Sequence, residues 1–517
     1  MNPTLLLVVV LAYFGLLLFI AYLTSRNANN ESFFIGNRNS KWWLVAFGMI
    51  GTSLSGVTFV SVPGTVNSGG LGYFQVVIGY FLGYFLVAFV LLPLYYRMQL
   101  TSIYTYLERR FGIASYKTGA LFFILSRTVG ATARLYLVIN VLQLFILDAM
   151  GVPFFVTTFL ILLLILLYTF KGGVKTIVYT DTLQTTFMLL GLVVCIVAIM
   201  NFMQLDMGTT IHAMKAKGFT NMFNTDPNSA GYFLKQILGG AFITVAMTGL
   251  DQEMMQKNIS VSRLGDSQKN MLTFSTIMVI VNLLFLLLGG LLYLYANANG
   301  ITQTGDDLFP TIALSHLSPA VSLLFIIGLI SALFPSADGA ITALTSSFCI
   351  DILGIRRREG LSEKQQTNIR LRVHLSFAII FLLCILIFKA VDNHSIINVI
   401  LKLAGFTYGP LLGLFAFGIL SRRQLRDGFT PVLCVLALLL TLALDIANNA
   451  GWYADLFTAD AATLKSASAF SEGIFGKYKI GIELLLINAG LTYLLLFLFS
   501  SRQPLLAGAD RKAKSLS

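Results

Sequence analysis

The chain has 517 residues, 56% of them hydrophobic and only 11% charged, with a mean hydropathy of +0.81. Soluble domains carry roughly 25% charged residues, so a soluble enzyme or a nucleic-acid-binding domain is excluded as the organising unit. The net charge of +12 resides in short loops between apolar runs, where positive-inside bias accounts for it.

Apolar runs long enough to cross a hydrocarbon layer of roughly 30 Å recur along nearly the whole length and predict an all-α membrane protein of about thirteen helices. They fall near 4–24, 42–65, 73–95, 119–148, 154–170, 176–205, 232–255, 270–297, 319–353, 372–391, 396–420, 430–447 and 479–500. The first, "MNPTLLLVVVLAYFGLLLFIAYLTSRN", has no positive segment before its apolar run. It reads as a retained helix with its N-terminus outside.

Basic residues then test the orientation. Arg26, Arg38 and Lys41; Arg97, Arg109, Arg110 and Lys117; Lys171 and Lys175; Lys257, Arg263 and Lys269; Arg356, Arg357 and Arg358; Arg422, Arg423 and Arg426; and Arg511, Lys512 and Lys514 share one side. That side is the cytoplasm, and the location expected is a plasma membrane, the inner one in a Gram-negative cell. The longest opposite loops, 206–231, 298–318 and 448–478, are poorer in positive charge.

Two spans look interrupted. The second contains "GTSLSGVTF" and the seventh "LGGAFITVAMTG". Glycine and serine there either break the helix or let neighbours pack closely, and the sequence favours neither reading. If both are breaks, each opens a five-helix unit, 42–205 and 232–420, inverted relative to one another because five is odd. The segment 1–41 then adds a leading helix, 206–231 an external loop, 421–500 two peripheral helices and 501–517 a basic cytoplasmic tail.

Polar residues within spans carry the chemistry. Asp181 lies about five residues into the sixth span, about 8 Å deep. A lone carboxylate is costly there, by about 2.5–3.5 kcal/mol at a helix centre and less toward the end, so it must face a partner or water. Thr182, Gln184 and Thr185 surround it in sequence. In the ninth span, "ALFPSADGAIT" places Pro335, which frees a backbone carbonyl, beside Ser336, Asp338 and Thr342. Such hard oxygen donors suit an alkali or alkaline-earth cation, whereas any single serine or threonine also bonds back to its own helix.

Arg134, mid-span in the fourth helix and seven residues after Arg127, pairs either with a bound anion or, structurally, with Asp181 or Asp338. Lys402 sits about 9 Å from the outer end of its helix and snorkels outward. Cys195, Cys349, Cys384 and Cys434 fall in apolar spans and read as reduced packing residues. His212, His316, His374 and His394 stand in or near loops, far apart, and no phosphate loop, nucleophile elbow or zinc-protease motif occurs. Nothing in the sequence supports an enzyme.

"SGVTFVSVPG", "GGVKTIVYTDTLQ", "TGLDQEMMQKNIS" and "SADGAITALTSSFCIDIL", in this order, resemble the sodium:solute symporter family over residues 5 to about 500. The resemblance implies a LeuT-type five-plus-five inverted repeat preceded by one helix, sodium as the coupling ion, a small-molecule solute, a lipid bilayer and no obligate protein partner. It implies a main sodium site from carbonyls of Gly51, Leu54 and Ala332 with the Ser336 hydroxyl; Pro335 stands where a second hydroxyl is expected. Asp181 matches a second sodium site in the sialic acid subgroup; Asp338 and Gly339 stand where serines usually complete it, and Asp338 is expected to supply a carboxylate in their place. The substrate is then expected near Ser55, Thr58, Gln75, Thr244 and Thr248, with Arg134 on its carboxylate. Three activities follow: sodium symport of an organic anion, sialic acid first; proton- or sodium-coupled transport of a sugar, amino acid or vitamin; and solute sensing, against which the short segment after residue 500 argues.

Overall fold

The computed structural model describes residues 3–25, 40–355, 357–358, 360–391, 396–456 and 461–501. Arg26, Arg38, Arg356, His394 and the basic tail with Arg511, Lys512 and Lys514 lie outside the described residues. Each of the thirteen apolar runs is helical among the described residues, except that the fifth and sixth share one continuous helix, Phe154–Phe202, where two were expected. Nine are long spans, from Leu6–Thr24 to Asp427–Asn448, two are bent helix pairs, and Phe154–Leu167 and Leu484–Leu498 are shorter apolar helices.

The two bends fall in the second and seventh spans. Trp42–Ser53 and Gly56–Gly64 meet at 55°, and Phe233–Gly249 and Gln252–Ile259 meet at 66°. Leu54 and Ser55 take extended or irregular backbone between the first pair, while the second breaks after a wide helical turn at Val245–Gly249. Close packing occurs as well: a Cβ on Gly240 would strike the Val76 carbonyl of the third span. The glycines of the seventh span therefore do both jobs the sequence left open.

Burial sorts the helices into core and periphery. The ninth span, Pro319–Ile352, is 72% buried, whereas Leu6–Thr24 and Asp427–Asn448 are 28% and 33% buried and present Leu11, Phe19, Val432 and Leu439 outward. A helix apolar all round with most of its surface exposed is at home against lipid. The leading helix still meets the core, since Ser331 Oγ of the ninth span donates to the Tyr13 hydroxyl at 2.7 Å.

Two expectations are corrected here. Lys257 does not belong to the basic loop but is buried on Gln252–Ile259. His374 is also buried, within Glu363–Val391, its ring nitrogens each 3.0 Å from the Thr169 and Thr345 hydroxyls. Lys257 sits in the last turn of its half-helix and His374 about three turns into its helix, both in stretches that composition alone assigns to the interface. Cys195, Cys349 and Cys434 are buried and unbridged, as expected.

Candidate functional site

The breaks in the second and seventh spans leave the last carbonyls of one half-helix and the first N–H groups of the next without helical partners. The break in the second span packs between the sixth and the ninth: a Cβ on Gly51 would lie 2.5 Å from Thr185 Oγ1 of the sixth and 3.4 Å from Pro335 Cγ of the ninth. Gly51 is thus at van der Waals range of the turn that carries Ala332, Ser336 and Asp338, all buried. The Ser336 hydroxyl donates to the Leu333 carbonyl at 2.9 Å, which leaves its lone pairs to face a cation. Asp338 accepts the Gly339 N–H at 2.5 Å.

Asp181 has a partner that the sequence did not reveal. Lys257 Nζ donates to Asp181 Oδ2 at 2.6 Å and to the Thr52 hydroxyl, which itself donates to the same Oδ2 at 3.1 Å. Glu253 Oε1 stands 3.6 Å from the ammonium, and Glu253 Oε2 pairs with Arg127. Arg127 also reaches Asp251 Oδ2 at 3.8 Å. Asp251 caps the half-helix that begins at Gln252, accepting the Glu253 N–H at 2.9 Å and the Tyr408 hydroxyl at 3.0 Å.

A chain of buried charges therefore runs from Asp181 through Lys257 and Glu253 to Arg127 and Asp251. Asp181 Oδ1, Thr342 Oγ1 and the Gln184 amide are buried without a hydrogen-bond partner. Buried polar atoms in this state are uncommon and mark places where an ion or water completes the shell.

Arg127 also lines a central cavity of about 110 Å³, together with Ser55, Thr58, Arg134, Thr244 and Thr248. Five of the six substrate-site residues expected from sequence thus share one cavity. Tyr73, Tyr80 and Tyr84 form an aromatic wall on it that the sequence reading missed, although their spacing of seven and four puts them on one helix face. The Tyr73 and Tyr80 hydroxyls are 3.3 Å apart. Arg134 faces this cavity, and among the described residues no carboxylate lies within ion-pair distance of it. Neither Asp181 nor Asp338 neutralises it.

Gln75 is elsewhere. It lines a larger cavity of about 960 Å³, where its amide donates to the Gly72 carbonyl at 2.9 Å and accepts the Asn224 N–H at 3.3 Å. That cavity is bordered by the loops 217–224 and 230–231 and by Lys402, which pairs with Asp445 at 2.9 Å beneath the Trp452 ring. Tyr73 and Leu401 line both cavities and form the partition between them.

The sequence model described as "Sodium:solute symporter family" matches residues 33–430. The sodium/sialic acid symporter SiaT of Proteus mirabilis (strain HI4320) is 24% identical over 442 residues, spanning 83% of this chain and 87% of the relative. Sodium-coupled monocarboxylate transporter 1 of Mus musculus is 27% identical over 417 residues, 78% of this chain and 66% of the relative. Among solved structures, a substrate-bound, outward-open Na+-coupled sialic acid symporter superposes with a TM-score of 0.78 at 19% identity, covering 96% of this chain and 99% of the other. This likeness establishes the shared LeuT-type fold.

Proposed function

The chain belongs to the sodium:solute symporter family, and from that premise we propose that it carries a small organic carboxylate, sialic acid being the first candidate, together with sodium. The observation that carries this reading is Arg134, a guanidinium inside the central cavity with no carboxylate of the described residues to pair with. Its planar fork matches a carboxylate, and Ser55, Thr58, Thr244 and Thr248 add hydrogen-bonding groups around the same space. Relatives that carry sialic acid or monocarboxylates support the same substrate class.

The main sodium binds between the broken second span and the ninth, on the carbonyls of Gly51, Leu54 and Ala332 and the Ser336 hydroxyl. The approach of Gly51 to Pro335 supports this placement. Asp181 and Asp338 form the acidic lining of a second cation position. The N-terminus lies outside, the C-terminus in the cytoplasm of a plasma membrane, and one chain works without an obligate protein partner. In this orientation the larger cavity opens to the exterior, and Tyr73 with Leu401 separates it from the substrate.

Sodium drives transport only by binding the outward and inward states unequally. It stabilises the outward state, the solute enters, and rocking of the broken spans against the remainder exposes both to the cytoplasm. Radiolabelled sialic acid uptake into proteoliposomes tests the reading, with an inward sodium gradient compared with potassium on both sides. Accumulation only with sodium is expected. Uptake driven by a pH step without sodium would instead make the buried carboxylates proton carriers.

A further inference from the structure

We propose that the Lys257 ammonium is the resident cation of the position beside Asp181, so that the carrier binds one sodium ion, at the main site. The inference rests on the sodium-coupled reading above and fixes its ion count.

An ammonium carries three N–H donors and no acceptor. Lys257 Nζ donates to two oxygens from other spans, Asp181 Oδ2 and the Thr52 hydroxyl, and a third oxygen, Glu253 Oε1 of its own half-helix, stands at ion-pair distance, 3.6 Å, with no hydrogen-bond partner of its own. A carboxylate, a hydroxyl and a second carboxylate are also what a small alkali cation seeks. Lys257 is 2% exposed, so its charge is held in place by these oxygens and by nothing in solvent. A free sodium at Asp181 Oδ2 would have to displace a cation that is covalently tethered, tethering gives the ammonium a high effective concentration there, and the unpartnered Oδ1 belongs to a carboxylate whose charge that ammonium already neutralises.

The ninth span is adapted to the same arrangement. Gly339 offers no side-chain ligand, and a Cβ there would collide with Glu253 Oε1. The missing side chain leaves room for the carboxylate that flanks the ammonium.

Sodium itself is the probe. Equilibrium binding of radioactive sodium to the purified full chain, with choline as the replacement ion, counts ions without knowledge of the solute. Wild type is expected to bind about one sodium per chain and Lys257→Gln about two, because removing one partner leaves a buried carboxylate that needs a new cation. Lys257→Arg keeps the charge and the wild-type count. The Lys257→Gln protein should also gain more thermal stability from added sodium than wild type does.

Two sodium ions on wild type would overturn the proposal, whether or not the variants fold. So would a folded Lys257→Gln protein that binds no additional ion. Loss of all sodium binding by wild type would instead remove the main site, while the difference between wild type and Lys257→Gln would still decide the role of the lysine.

Discussion

Gly339 and Glu253 occupy complementary volumes: the space a side chain would take on the ninth span is filled by the carboxylate of the seventh. Gly339→Ala should therefore displace Glu253 from Arg127 and Lys257. Overpacking of this kind costs about 1–3 kcal/mol, so a lower Tm is expected without any change in membrane insertion. Pairing Gly339→Ala with Glu253→Ala should restore part of the loss, and a Tm series over the two single variants and the double variant measures it.

Arg134 should govern recognition of the acid. Hydrogen bonds to a charged group contribute about 1.5–3 kcal/mol, so Arg134→Ala is expected to weaken carboxylate binding by about ten- to a hundredfold. An esterified analogue should bind wild type and variant alike. Equal loss of acid and ester would show that Arg134 maintains the fold of the cavity and does not hold the solute.

Ser336 supplies the one side-chain oxygen proposed for the main sodium. Ser336→Ala should raise the sodium concentration for half-maximal uptake by about tenfold, the equivalent of about 1.4 kcal/mol. Maximal uptake at saturating sodium should survive. An unchanged sodium curve would move the ion away from the ninth span.

Tyr73 and Leu401 stand between the two cavities, which makes their accessibility a reporter of opening. Leu401→Cys should react with a membrane-impermeant thiol reagent faster in sodium alone than with sodium and solute together. Cys195, Cys349 and Cys434 are buried, and a Cys384→Ser background removes the one partly exposed thiol. Equal rates in both conditions would place the closing barrier elsewhere.

Much of the architecture was legible because bilayer thickness dictates run length, and because Gly51, Ser53, Ser55 and Gly56 interrupt an apolar run where nothing but a break or close packing explains them. The partner of Asp181 was not legible. Lys257 follows the mostly polar stretch 251–256 at the end of an apolar span and precedes Arg263 and Lys269, so composition alone assigns it to a cytoplasmic loop. The overlooked signal was Asp251, a helix-capping residue two positions after Gly249, which announces that a second half-helix starts inside the span. Lys257 lies almost two turns along that half-helix, on the same stretch as Glu253. Gln75 misled for a different reason. Its helix does border the central cavity through Tyr73, Tyr80 and Tyr84, but Gln75 itself turns to the larger cavity, a distinction of face that needs the neighbouring helices.

The ammonium on Asp181 has an electrical consequence. One sodium accompanying a monovalent anion moves no net charge, so uptake would draw no current and would not respond to membrane voltage. Each 100 mV acting on an uncompensated charge is worth about 2.3 kcal/mol, and a carrier of this stoichiometry forgoes it. Its accumulation would be limited by the sodium gradient alone, about tenfold for a tenfold gradient worth about 1.4 kcal/mol. Exchanging Lys257 for a neutral side chain would admit a second sodium and make the same cycle electrogenic, so that one buried lysine decides whether this membrane protein senses the potential across it.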